Sequence, residues 1–128
     1  MLAVLHQQVL RQHGVRLVGY SSCDRAGTKL RSVCARLERF YTEELLASRV
    51  ITAAADISMS ARCVAVLLGG DAAGGGLPGA VPPPLADLVR AVAKSARGYD
   101  AWSLRQHLGE LAQAVFGPPA FCPIVMPR

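Results

Sequence analysis

The stretch "TKLRSVCARLERFYTEELLASRVITAAADISMSARCVAVLL", residues 28–68, decides the fold, because it runs without a proline or a glycine. Leu30, Cys34, Leu37 and Tyr41 recur at alternating spacings of four and three, and Val33 and Phe40 widen the stripe, as on one buried helix face. Thr28 stands where an N-cap belongs. One helix over the whole stretch would be about 60 Å long at 1.5 Å per residue, more than a small domain accommodates. A break is therefore predicted near Ser48 to Thr52. The second half, residues 50–68, is nearly long enough to cross a bilayer, but Asp56 and Arg62 stand near its centre and each costs about 2.5–3.5 kcal/mol there. It reads as a central bundle helix. Ala53, Ala54, Ala55, Ala61 and Ala65 let neighbouring backbones approach, and the two charges lie at a rim or an interface.

Working outward, Leu2, Leu5, Val9 and Leu10 form a helical stripe that Gly14 would end as a C′ residue. Residues 15–27 follow as a connection, with "VRLVGY" (15–20) as a candidate short strand. Downstream, "GGDAAGGGLPGAVPPP" (69–84) opposes both helix and strand and reads as a surface connection. It lacks the lysine and the direct entry into a helix that a nucleotide-cradling loop needs. Pro84 suits the first turn of a further helix, whose buried face is Leu85, Leu88, Val89, Val92 and Ala96 and whose stop is Gly98. A last helix, capped by Asp100 or by Ser103 with Gln106, carries Leu104, Leu108, Leu111 and Val115 and ends at Gly117 to Pro119. Trp102, the single tryptophan, is assigned to the core rather than to an interface. The tail "AFCPIVMPR" (120–128) is apolar and broken by prolines, and is read as an extended strap.

The chain's 128 residues suit one domain with a real core. The fold class that results is all-α: a single domain over 1–128, a four- or five-helix up-and-down bundle with a long Gly/Pro loop at 69–84 and an extended tail at 117–128. The alternative is a small α+β domain pairing "VRLVGY" with "CVAVLL" (63–68). Low aromatic content, 5 %, favours helices over a sandwich. Apolar residues reach 52 % and charged ones only 18 %, leaving more apolar surface than one small core hides, which implies a partner.

Charge is uneven. Residues 1–42 hold Arg11, Arg16, Arg25, Lys29, Arg31, Arg36 and Arg39 against Asp24 and Glu38, while the remainder is balanced. Lys29, Arg31, Arg36 and Arg39 would line the helix that starts at Thr28 and are the candidate contacts for an anionic partner. Phe40 and Tyr41, the aromatic residues beside them, are assigned to the core, so sequence-specific nucleic-acid readout is not expected.

Chemistry finds little footing. Cys23, Cys34, Cys63 and Cys122 show no close C-x2-4-C pair, and His6, His13 and His107 complete no metal set. The thiols are read as reduced and mostly buried, and no metal, cofactor or catalytic residue is assigned. In "GYSSCDRAGTKLRS" (19–32), the run from Cys23 to Lys29 resembles over seven residues the C-x5-R loop of the cysteine-dependent phosphatases. Lys29 stands where that family requires an arginine able to clamp two phosphate oxygens, and Asp24 opposes a thiolate. The start lacks an apolar signal core followed by a cleavage site, so an intracellular chain is expected, cytoplasmic in preference to mitochondrial. The mitochondrial alternative rests on the lack of any acidic residue before Asp24.

These observations lead to a non-enzymatic protein–protein interaction module, an adaptor or small subunit of a larger intracellular assembly, binding other proteins or a copy of itself. The alternatives are an unspecific nucleic-acid or anionic-surface binder working through the basic N-terminal third and, last, a phosphatase-like site at Cys23.

Overall fold

The computed structural model describes residues 4–8, 14–18 and 25–118. These residues are mainly helical: a 3-10 helix (Ala35–Phe40) and four α-helices, α1 (Glu43–Ser48), α2 (Ala53–Leu67), α3 (Pro83–Lys94) and α4 (Ala101–Phe116). The all-α expectation holds for the body of the chain. The Cys23 loop up to Asp24, His13, Cys122 and the tail from residue 119 lie outside the described residues.

The expected first helix is instead a hairpin. Strand β1 (Val4–Gln8) pairs antiparallel with β2 (Gly14–Val18), with Val4 opposite Val18 and His6 opposite Arg16. A short helix with four apolar positions is marginal in water, whereas the β-branched Val4, Val15 and Val18 favour an extended backbone. Gly14 opens a strand rather than closing a helix; of the expected strand at 15–20, residues 15–18 lie in β2, and 19 and 20 are outside the described residues.

The helix expected from Thr28 also gives way. Lys29 forms an antiparallel bridge with Val50. Around it the Gly27 N–H donates to the Ile51 carbonyl at 2.7 Å, the Leu30 N–H to Arg49 at 2.6 Å and the Ile51 N–H to Thr28 at 2.9 Å. The Thr28 hydroxyl donates to the Arg25 carbonyl instead of capping. Ser32, Val33 and Cys34 are poor helix formers, and the chain coils only into the 3-10 turn before Tyr41 and Thr42 extend again. Thr42 then caps α1 by accepting the Leu45 N–H at 3.1 Å, with Glu43 and Glu44 in the first turn where the helix dipole favours them. The apolar stripe keeps its purpose: Leu30 and Tyr41 are buried with Leu45, Ile51, Ala55 and Met59, and Val33 and Leu37 pack on them.

The predicted break falls at Arg49 to Thr52. Arg49 is left-handed, with φ 57°, and the Thr52 hydroxyl caps α2 by accepting the Ala55 N–H at 3.0 Å. Cys63 to Leu67 are helical, which removes the α+β alternative. Helix α2 lies antiparallel to α3: Ala54, Ala55 and Ser58 of its first half adjoin Lys94 to Ala96 at the end of α3. Of the five alanines expected at this contact, Ala55 and Ala65 are buried, Ala54 and Ala61 pack half-buried on the α3 cluster, and Ala53 is exposed. Leu88, Val92 and Ala96 make a second cluster, packed by Ala54, Ile57, Ala61, Tyr99, Leu104 and Leu111.

Residues 69–81 fold into turns rather than extending. The Asp71 carboxylate accepts the N–H groups of Ala73 and Gly75, at 2.8 and 2.9 Å. Gly74, at φ 86°, lies so close to Arg90 that a Cβ there would come within 3.0 Å of its backbone. Helix α4 is capped by Asp100, whose Oδ1 accepts the N–H groups of Trp102 and Ser103 at 2.9 Å each and whose Oδ2 accepts the Ser103 hydroxyl at 2.8 Å. No residue of α4 is buried. Trp102, expected in the core, is 64 % exposed, because it lies on the side of α4 turned away from α3.

The Asp100 cap has a pH signature. Hydrogen bonds from Ser103, joined by the Trp102 N–H, hold its carboxyl below the ordinary aspartate value. A depressed folded-state value gives stabilisation that is complete above the unfolded value of about 4 and lost as pH falls through the folded one. Far-UV circular dichroism should show α4 losing helicity as pH drops below about 4, with Asp100→Asn, still a good cap, removing that component and Asp100→Ala fraying the helix at every pH.

Candidate functional site

Of the four cations singled out in the sequence, Lys29 sits in the bridge with Val50, Arg31 follows in extended chain, and Arg36 and Arg39 lie in the 3-10 helix. All four are exposed, but they do not share an α-helical strip as expected. Positions three apart superpose in a 3-10 helix, so Arg36 and Arg39 share one edge. The bridge adds a fifth cation, Arg49, which neighbours Val50 and whose carbonyl receives the Leu30 N–H. No local pattern announces Arg49, since its place depends on a chain reversal of some twenty residues. Among the described residues the ion pairs are Arg90–Asp87 and Arg97–Glu44, both exposed and at 2.7 Å, so these five cations have no carboxylate partner there. The guanidinium of Arg39 lies 4.9 Å from the centre of the Phe40 ring, while Phe40 and Tyr41 are buried, as expected.

Beneath this basic surface Arg62 fixes the backbone. Its Nη1 donates to the carbonyls of Arg39 at 3.1 Å and Tyr41 at 2.7 Å, and its Nε to that of Ala93 at 2.9 Å. Ala93 is in the last turn of α3, and Arg39 and Tyr41 are at the end of the 3-10 helix, where carbonyls lack partners within the helix. One half-buried guanidinium thus caps two helix ends from a third helix. Burial draws its pKa down, with Glu43 opposing, and the group stays charged. The sequence reading puts Arg62 at a rim or an interface and does not reveal the carbonyls it holds.

The sites for small-molecule chemistry are thin. The N–H groups of Gly27 and Thr28, which a phosphate loop after Cys23 would aim at its ligand, donate to Ile51 and Arg25. In the Gly/Pro turns the donors hold the chain's own Asp71 carboxylate. A cavity of about 20 Å³ between α1, α2 and the end of α3, lined by Thr42, Ser48, Ser58 and Ser95, has room for about one water, far below the roughly 300 Å³ of a ligand pocket. No three His, Cys, Asp or Glu side chains among the described residues gather as metal ligands. Cys34 is exposed, against the expectation of buried thiols, because the stripe it belongs to is not helical; Cys63 is half-buried, and burial pushes its thiol up, away from the reactive thiolate.

The remaining feature is the outer side of α4. Leu104 and Leu111 touch the α3 cluster, whereas Trp102 and Phe116, on a different side of the helix, are 64 % and 67 % exposed and Leu108 is 44 % exposed. Arg105 lies 5.1 Å from the Trp102 ring centre. Sequence periodicity marked only the inner stripe, and the exposed aromatic residues could have been found by noting that Trp102 and Phe116 fall outside it. No family model matches the chain, and neither a curated protein nor a solved structure matches it.

Proposed function

We propose that the chain is a non-enzymatic protein–protein interaction module, an adaptor or small subunit of a larger intracellular assembly, that docks through the outer side of α4. The observation that carries this is a sixteen-residue helix with no buried residue, presenting Trp102, Leu108 and Phe116 to solvent. Tryptophan and arginine are among the residue types enriched where binding energy concentrates at protein interfaces, and large exposed apolar side chains on a small chain mark a contact region. Lys29, Arg31, Arg36, Arg39 and Arg49 then steer an acidic partner surface, raising the association rate more than the final affinity.

Capture of partners by the full chain, followed by mass spectrometry, tests this when compared with a Trp102→Ser, Phe116→Ser variant of unchanged circular dichroism. Loss of a specific protein from the variant is expected. Retention of every captured protein, or no capture by a chain that also sediments as a monomer, counts against docking through α4. Charge reversal at Arg36 and Arg39 should slow association with that protein about tenfold at low salt and little at high salt. If the reversal instead abolishes binding to nucleic acid of any sequence, with a steep salt dependence, the basic strip serves a phosphate backbone.

A further inference from the structure

We propose that α4 pairs with α4 of a second copy of this chain, antiparallel, about a two-fold axis through Gly109; this rests on α4 being the docking element. Trp102, Gly109 and Phe116 are each seven residues apart, so they line one side of the helix over about 21 Å, with a drift of about 20° per step. Gly109 is their midpoint. In an antiparallel pair centred there, Trp102 of each copy meets Phe116 of the other, and the two Gly109 positions face each other.

Two further features fit this arrangement. Gly109 is helical, yet a Cβ added to it would meet no atom within 4 Å. The chain's own packing thus gives no reason for a residue that weakens a helix, whereas close approach of a second backbone does. The seam is also nearly free of charge: Arg105 would face the uncharged Gln113 of the second copy, and the cations at 25–49 belong to other elements. Self-repulsion at the contact is therefore small despite the net charge of +5.

The area is sufficient for a weak dimer. Aromatic side chains present roughly 150–250 Å² each, so two-thirds exposure leaves roughly 100–165 Å² on each of Trp102 and Phe116. With Ala112 and the stem of Arg105, about 350–450 Å² per copy is covered, or about 700–900 Å² for the pair, below the roughly 1,200–2,000 Å² of stable specific interfaces and in keeping with a weak, transient pairing. Association is then concentration-dependent, with a fast monomer–dimer exchange.

Sedimentation of the full chain over a concentration series up to about 1 mM should show reversible dimers. Gly109→Glu sets two like charges against each other on the axis and should weaken dimerisation at least tenfold, while circular dichroism shows equal or greater helicity, since glutamate is the better helix former. A wild-type chain that remains monomeric overturns the pairing, and so does a dimer unaffected by Gly109→Glu. If the wild type is monomeric while Trp102→Ser, Phe116→Ser still loses a captured partner, the pairing falls and the docking role of α4 stands.

Discussion

Replacing Arg62 by methionine should lower the stability of the folded chain by about 3 kcal/mol. The methionine keeps most of the apolar stem, so the loss isolates the guanidinium. Three hydrogen bonds from a charged donor vanish and the carbonyls of Ala93, Arg39 and Tyr41 lose it as a partner. Each such bond contributes about 1.5–3 kcal/mol when its partner is shielded, and the half-exposed site reduces the sum. In urea the midpoint should fall by about 1.5–2 M with little change in slope. Arg62→Lys should recover less than half of the loss, because an ammonium cannot reach three carbonyls in two directions. A midpoint shift below about 0.3 M would mean that water replaces the guanidinium and that the two helix ends do not depend on it.

Leu45→Ala is expected to cost a similar amount, about 3 kcal/mol within the 2–5 kcal/mol seen for large-to-small changes in packed cores. Leu45 is only 3 % exposed and lies among Leu30, Tyr41, Ile51, Ala55 and Met59, so its removal leaves a void walled by segments from 30 to 59. Leu108→Ala on α4 should cost less than about 1 kcal/mol, since that side chain is 44 % exposed. Equilibrium unfolding of the two variants side by side checks the contrast, and equal losses would show that α4 is covered in solution. The double variant Leu45→Ala, Arg62→Met should be non-additive by at least 0.5 kcal/mol, because Tyr41 contributes its ring to the cluster around Leu45 and its carbonyl to Arg62.

How much of this was legible in the sequence differs by segment, for physical reasons. Helix α3 was read well because its signals are local: prolines at its start, an apolar face at regular spacing, and a clean end before Gly98. Helix α2 and the break before it were read equally well. Between 28 and 42 the spacing of Leu30, Leu37 and Tyr41 was right about burial and wrong about backbone, since the Lys29–Val50 bridge depends on a chain reversal that no window of neighbouring residues contains. "YTEELL" carries the start signal of α1, Thr42 followed by two glutamates, within the longer apolar stripe. At the N-terminus Val15 to Val18 read as a strand, while the apolar stripe at Leu2, Leu5, Val9 and Leu10 reads as a helix although its residues 4–8 form the partner strand β1. The basic residues were visible as a composition; that Arg49 joins them, and that Arg62 ties down the backbone beneath, required coordinates.

The same division applies to the outer side of α4. A lone tryptophan near the start of an amphipathic helix is usually an anchor of the core, and the leucines of the inner stripe gave α4 enough apolar surface to suggest burial. Yet α3 offers α4 only a narrow contact, through Leu104 and Leu111. Apolar surface in excess of what the core consumes therefore collects on one exposed helix, as the composition required that it collect somewhere.

Because Trp102 is the only tryptophan, its fluorescence reports directly on that surface. In the dilute isolated chain the emission should be red-shifted and freely quenched by acrylamide, and on raising the concentration or adding a captured partner it should shift to the blue and resist quenching. A blue-shifted, protected emission from the dilute chain would place Trp102 in a core and contradict the uncovered face on which the function proposed for this protein depends.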